Sequence, residues 1–279
     1  MTHVRALVSL PATMLVTLLV TLLVTVAALS ACSAEPQGEN VDPDQVDATE
    51  IPAVGACRVL TPADVEQPAN ATRTVNCNDK HTAETFATGE LPDEFDDVAY
   101  DDEEVGEYAY RTCSDRFEKF LGAADESVVL RTTVSWAWFR PSEKAWEDGA
   151  RWYRCDVVGG NASNEEYRPL PPTAKGLLLG RPNDRWLVCA VGDTVAQSEK
   201  VPCAQDHDWR AATTIKLGEP DDKYPGDEVV ASRTKAFCAN SIKAWLNYPA
   251  RFEYGFTHFH EAEWQAGNRR SVCWAKTSE

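Results

Sequence analysis

A chain of 279 residues with 43% apolar side chains and 9 Trp is long enough for one large or two ordinary domains, and rich enough to pack them. Its 44 Asp and Glu outweigh 27 Lys and Arg, a formal charge of −17. A surface of that sign repels nucleic acid and other anionic polymers, whose binding needs clustered Lys and Arg, so DNA, RNA and teichoic acid are excluded as expected partners.

From the start of the chain, Arg5 precedes an uncharged run from Ala6 to Ala31 that ends in Leu29-Ser30-Ala31-Cys32. That ending resembles a bacterial lipobox, in which small residues admit a peptidase to the backbone and the cysteine thiol accepts a diacylglyceryl group. Residues 1–31 are therefore expected to be a lipoprotein signal peptide, with Cys32 the lipidated first residue of the mature protein. The competing reading is an uncleaved membrane helix, since the run can span about 30 Å of hydrocarbon. Both readings place the rest of the chain on the extracytoplasmic face of the plasma membrane.

Residues 32–53 carry Glu35, Glu39, Asp42, Asp44, Asp47 and Glu50 but few large apolar side chains, too little burial to offset ordering, and read as an acidic flexible tether. Beyond it the chain reads as two homologous repeats, 54–160 and 176–279, separated by a Pro-containing connector over 161–175. Cys77-Asn78-Asp79-Lys80-His81 in the first half answers Cys203-Ala204-Gln205-Asp206-His207 in the second, and each is followed by a strand-like stretch. Trp146, Gly149, Arg151 and Cys155 answer Trp264, Gly267, Arg269 and Cys273, both obeying W-x-x-G-x-R-x-x-x-C.

Between these landmarks each repeat predicts one helix centred on its third cysteine. Val105, Phe117, Phe120 and Leu121 around Cys113, and Val230, Ile242, Trp245 and Leu246 around Cys238, lie at helical spacing on one apolar face. Asp101 to Glu104 and Asp227-Glu228 suit the two helix starts. Ala56 to Leu60, Thr72 to Cys77, Val128 to Phe139 and Trp152 to Val158 read as strands from their aromatic and β-branched content. The predicted fold class is α+β: two disulfide-bonded repeats, each a small antiparallel sheet with one helix packed on a face.

Nine cysteines would be odd in an exported protein, but assigning Cys32 to the lipid leaves eight: Cys57, Cys77, Cys113, Cys155, Cys189, Cys203, Cys238 and Cys273. Pairing within repeats, alike in both, leaves three patterns. The favoured one joins first to second and third to fourth, which staples each helix to the last strand of its repeat.

The segments Gly55-Ala56-Cys57, Val75-Asn76-Cys77, His81 with Glu84, and the two Trp-Gly-Cys stretches carry a resemblance to the septum-formation domain family of actinobacterial lipoproteins and membrane proteins, over about Gly55 to Trp274. The resemblance implies a link to division septa and carries no chemistry that transfers. The second repeat departs from it in having Arg210 after His207 where the first has Glu84 after His81.

His81, Glu84, His207, Trp146, Arg151, Trp264 and Arg269 are the candidate binding or structural residues. C-x-x-x-H evokes zinc, but outside the cell those cysteines are better half-cystines, and each histidine is placed to bond turn carbonyls. Each Trp with its Arg suits a cation–π stack, as core packing or as the lining of a sugar or peptide groove. The acidic run from Asp93 to Glu107 lacks EF-hand spacing and reads as a solvated loop and helix start. No catalytic signature is visible, and neither a metal nor a cofactor is expected. The expected function is a non-catalytic, lipid-anchored envelope module that binds or scaffolds division or wall-assembly proteins, the alternatives being a small-molecule or metal-binding lipoprotein and a wall-acting hydrolase.

Overall fold

A computed structural model describes residues 40–161, 164–180, 182–219, 221–265 and 267–277. The expected signal peptide, Cys32 and the first part of the expected tether lie outside them. Among the described residues no helix is long and apolar enough to cross a membrane.

The first repeat builds one antiparallel sheet from β1 (Cys57–Arg58), β2 (Thr74–Val75), β3 (Ala83–Glu90), β4 (Ser135–Phe139) and β5 (Trp152–Val158), in the order β2-β1-β3-β5-β4. The second builds β6 (Val188–Val191), β7 (Glu199–Pro202), β8 (Trp209–Lys216), β9 (Tyr254–Thr257) and β10 (Arg270–Lys276), in the order β7-β6-β8-β10-β9. Element for element the two orders are the same, so the chain is an α+β protein of two repeats. A bulge recurs at one place: Phe86 in β3 and Ala212 in β8 are the extra residues against β5 and β10.

In each repeat a long helix leaves the third strand and crosses the sheet. α1 (Glu103–Leu121) starts where the Asp102 carboxylate accepts the Glu104 amide at 2.9 Å and ends at Gly122, whose φ of 69° gives the left-handed turn a side chain would resist. It buries Val105, Ala109, Cys113, Phe117 and Leu121, one residue per turn on one stripe. A short helix α2 (Glu143–Glu147) precedes β5. In the second repeat α3 (Asp227–Trp245) buries Val230, Thr234, Cys238 and Ile242, and α4 (Glu261–Gln265) precedes β10. Trp245, expected on the buried stripe, is 47% exposed, because it falls at the last turn of α3 where the chain is already leaving the sheet.

Four disulfides join Cys57 to Cys77, Cys113 to Cys155, Cys189 to Cys203 and Cys238 to Cys273. The second bond of each repeat ties the helix to an interior strand of the sheet, β5 or β10. Around the first of these lies the largest core, in which Phe86, Phe117, Leu121, Tyr153 and Val157 pack between sheet and helix.

Several segments differ from their sequence reading; the expected strand Ala56 to Leu60 pairs only at Cys57–Arg58, before the chain turns into the short helix Pro62–Val65. Val128 to Phe139 is a strand only from Ser135: Glu126–Val129 is a helical turn, and Arg131 to Thr133 turn away to the other repeat. There Thr132 bridges Leu187, the Thr133 amide donates to Trp186 and the Val188 amide donates to Arg131, so the two sheets stay separate but are laced together. Thr72 to Cys77 pairs as a strand only at Thr74–Val75, because Thr72 is engaged by Val41. The part of the expected tether from Asn40 on is a strap docked on the first repeat: Asp42 donates its amide to Ala71, a helical turn spans Pro43–Val46, and the Trp152 indole donates to the Ala48 carbonyl at 3.1 Å.

The connector over 161–175 is equally engaged. Tyr167, Leu170 and Ala174 are buried with Leu178 just beyond, the Leu170 amide donates to the His81 carbonyl, and the Gly176 and Leu178 amides donate to the last carbonyls of α1. Its apolar side chains complete the first repeat's core.

Candidate functional site

The paired motifs resolve into two internal fastenings, each built twice. His81 and His207 are buried directly after a half-cystine turn. Nδ1 of His81 lies 2.8 Å from the Asp79 carbonyl and that of His207 lies 2.7 Å from the Gln205 carbonyl. A carbonyl can only accept, so each Nδ1 carries the proton and each ring pins the turn that follows its disulfide.

Glu84, one residue into β3 from Ala83, is buried and turned to the connector. Its carboxylate accepts the Ala174 amide at 2.6 Å and the Thr173 hydroxyl at 2.8 Å. At the matching place Arg210 instead pairs with Asp184, in the segment that leads into β6. The His and Glu of H-x-x-E therefore act on separate partners, a turn and a linker.

The W-x-x-G-x-R segments form the second fastening. Ser142 caps α2 by accepting the Ala145 amide, and the chain reverses at Gly149, φ 95°, in one repeat and at Gly267, φ 101°, in the other. The reversal lays the arginine over the tryptophan it has just passed: Arg151 sits 4.0 Å above the Trp146 ring and Arg269 3.8 Å above Trp264. Arg151 then donates to the carbonyls of Phe95, Asp96, Trp146 and Ala150, tying the turn to the loop that leads into α1. Burial is the main force lowering the Arg269 pKa, opposed by Tyr110 and Asp222 beside it. Trp146 and Trp264 are both at least 95% buried and pack the core, and Trp264, with Gly267 and Arg269, also borders a cleft of about 480 Å³ beside α1.

Another opening lies away from these motifs. A cleft of about 690 Å³ runs along the edge strand β4, between Trp136 and Trp138 on one side and Val65 to Pro68 on the other. Tyr110 reaches into it from α1, its ring 5.2 Å from that of Trp136, and Tyr167 comes from the connector. Two exposed carboxylates, Glu66 and Glu263, stand in the same lining, the second contributed by α4 of the other repeat. Trp136 and Trp138 are half-buried, since alternation along β4 turns them to the helix side while Ala137 and Phe139 face away. Apolar alternation in the sequence marked the strand but not the cleft, which needs Tyr110, Tyr167 and Glu263 brought in from three other segments. Among the described residues no three His, Cys, Asp or Glu side chains are grouped to hold a metal.

No curated protein and no solved structure matches the chain. A family model described as septum formation matches it twice, over residues 27–140 and 131–273.

Proposed function

We propose, as the chain belongs to the septum-formation family, that it is a non-catalytic binding module held at the outer face of the plasma membrane by a lipid on Cys32, where it docks a protein of the division or wall-assembly apparatus. The reading is carried by one observation: the polar residues of both motifs are engaged within the fold, whereas the cleft along β4 leaves the rings of Tyr110, Trp136 and Trp138 half-buried and within reach of a partner. Half-exposed Trp and Tyr are the side chains that contribute most at protein interfaces.

The occupant that suits this cleft is a protein segment carrying basic and apolar side chains. Glu66 and Glu263 supply carboxylates beside the rings, and a chain of formal charge −17 attracts cations over its whole surface. A photo-crosslinking residue at the exposed Glu66 position, in cells also carrying a fluorescent fusion, tests this. Septal fluorescence and an envelope protein whose crosslink is lost when Glu263 is changed to Lys are expected. Uniform envelope fluorescence, or a crosslink indifferent to that charge reversal, would sink the proposal.

A further inference from the structure

The face of the first sheet turned away from α1 carries a buried charge cluster that the second sheet lacks. Arg58, Arg154 and Asp156 are 2%, 1% and 0% exposed, and Thr85 among them is also fully buried. The Thr85 hydroxyl donates to Asp156 at 2.7 Å and receives Nη1 of Arg58 at 2.9 Å, while Nε of Arg154 lies 3.0 Å from the other Asp156 oxygen. Two guanidinium groups face one carboxylate, leaving one net positive charge out of water.

The second repeat supplies the internal control. The residue after its first half-cystine is Ala190 where the first repeat has Arg58, and four residues beyond the motif histidine stands Ala211 in place of Thr85. The last half-cystine, Cys273, is flanked by Val272 and Trp274 in place of Arg154 and Asp156. Strand pairing confirms the correspondence, since Cys57 opposes Glu84 and Cys189 opposes Arg210. There the same face packs as an apolar cluster of Val188, Ala190, Val195, Trp209, Ala211 and Trp274. The fold is complete without the charges, and burying ions costs several kcal/mol each before pairing recovers any of it.

The cluster opens onto a cavity of about 300 Å³ whose other wall is the strap. Arg58 donates to the Thr72 carbonyl, Thr85 and, at 3.4 Å, Gln45 of the strap; Arg154 donates twice to Asn70 besides its ion pair. A guanidinium has five N–H groups, so both retain donors without a partner among the described residues. Burial, reinforced by Arg154 and opposed by Asp156, pushes Arg58 down to about 10. At the outer end of the cavity stand two exposed carboxylates of the strap, Asp44 and Glu50.

We propose that this cavity binds a small zwitterion, a free amino acid or the end of a short peptide, with its carboxylate on Arg58 and Arg154 and its ammonium toward Asp44 and Glu50. The site lies on the opposite side of the sheet from the helix and stands independently of the partner cleft. Because the strap forms one wall, an occupant fixes residues 42–53 against the first repeat.

Thermal shift and calorimetry on the detergent-solubilised full chain test it with alanine and dialanine as probes, and with acetate, phosphate and methylamine as comparisons. Alanine or dialanine at about 10 mM is expected to raise the melting temperature and to slow proteolysis within the strap, with acetate weaker and methylamine inert. Arg58→Ala installs the side chain that the second repeat already tolerates there, and is expected to weaken binding by about tenfold or more. Should that variant not fold, Asp44→Asn with Glu50→Gln, both on the surface, must reduce the preference for alanine over acetate. A wild-type chain that responds to neither amino probe, or that binds phosphate or acetate as tightly as alanine, would overturn the assignment.

Discussion

At the scale of single residues, the two W-x-x-G-x-R motifs show side chains whose spacing is dictated by one turn. The glycine must adopt positive φ for the arginine to come back over the indole, and the arginine then holds the carbonyls that the turn leaves open. The two partners differ in what their loss does. Trp146→Ala leaves a void in the first core and is expected to cost about 3 to 5 kcal/mol, whereas Arg151→Lys keeps the charge, loses the planar stack and fork, and is expected to cost about 1 to 2 kcal/mol. Denaturant midpoints at unchanged slope check this. Equal losses from the two changes would mean that the ring is held by the arginine and not by the core.

At the scale of elements, the disulfides separate two kinds of support. Cys57–Cys77 and Cys189–Cys203 tie neighbouring segments at one edge of each sheet, across 20 and 14 residues of sequence. Cys113–Cys155 and Cys238–Cys273 tie a helix to an interior strand across 42 and 35 residues. Chain-entropy reasoning gives about 4 kcal/mol for the 42-residue link and about 3 kcal/mol for the 14-residue one. Replacing Cys113 and Cys155 together by Ala is thus expected to lower the unfolding free energy more than replacing Cys189 and Cys203, by about 1 kcal/mol, as measured by chemical denaturation under oxidising conditions. The reverse order would show that strand pairing at the edge depends on its bond more than the helix does.

At the scale of the whole molecule, duplication has been followed by divergence of the segments that surround each sheet. The first repeat is wrapped by a strap before it and a connector after it, and the connector's Leu170 and Ala174, with Leu178 just beyond, belong to its core. Glu84 receives that connector whereas Arg210 pairs with Asp184, so the H-x-x-E of the first repeat and the H-x-x-R of the second serve different partners. A fragment from Asn40 to Gly160 is accordingly expected to be less stable than one from Asn40 to Gly180 by about 2 kcal/mol or more, the worth of burying one or two Leu side chains. Comparing the melting of the two fragments checks it, and equal melting would place the connector outside the folding unit.

The sequence by itself determined whatever depends on local spacing: the duplicated motifs, the stripe of one buried residue per turn around Cys113 and Cys238, and the strands that follow each histidine. Helical and strand periodicities repeat within a few residues, and their physical cause lies in the same few residues. It did not reveal that Asn40 to Ala53 and the connector dock on the first repeat, since acidity and proline describe a segment's composition and not the surface waiting for it. Tertiary structure alone decided the aromatic cleft and the Arg58, Thr85, Arg154 and Asp156 cluster. Each is assembled from segments tens of residues apart, and nothing in local spacing brings Arg58 to Thr85 or Tyr110 to Trp136 until the sheet closes and the helix crosses it.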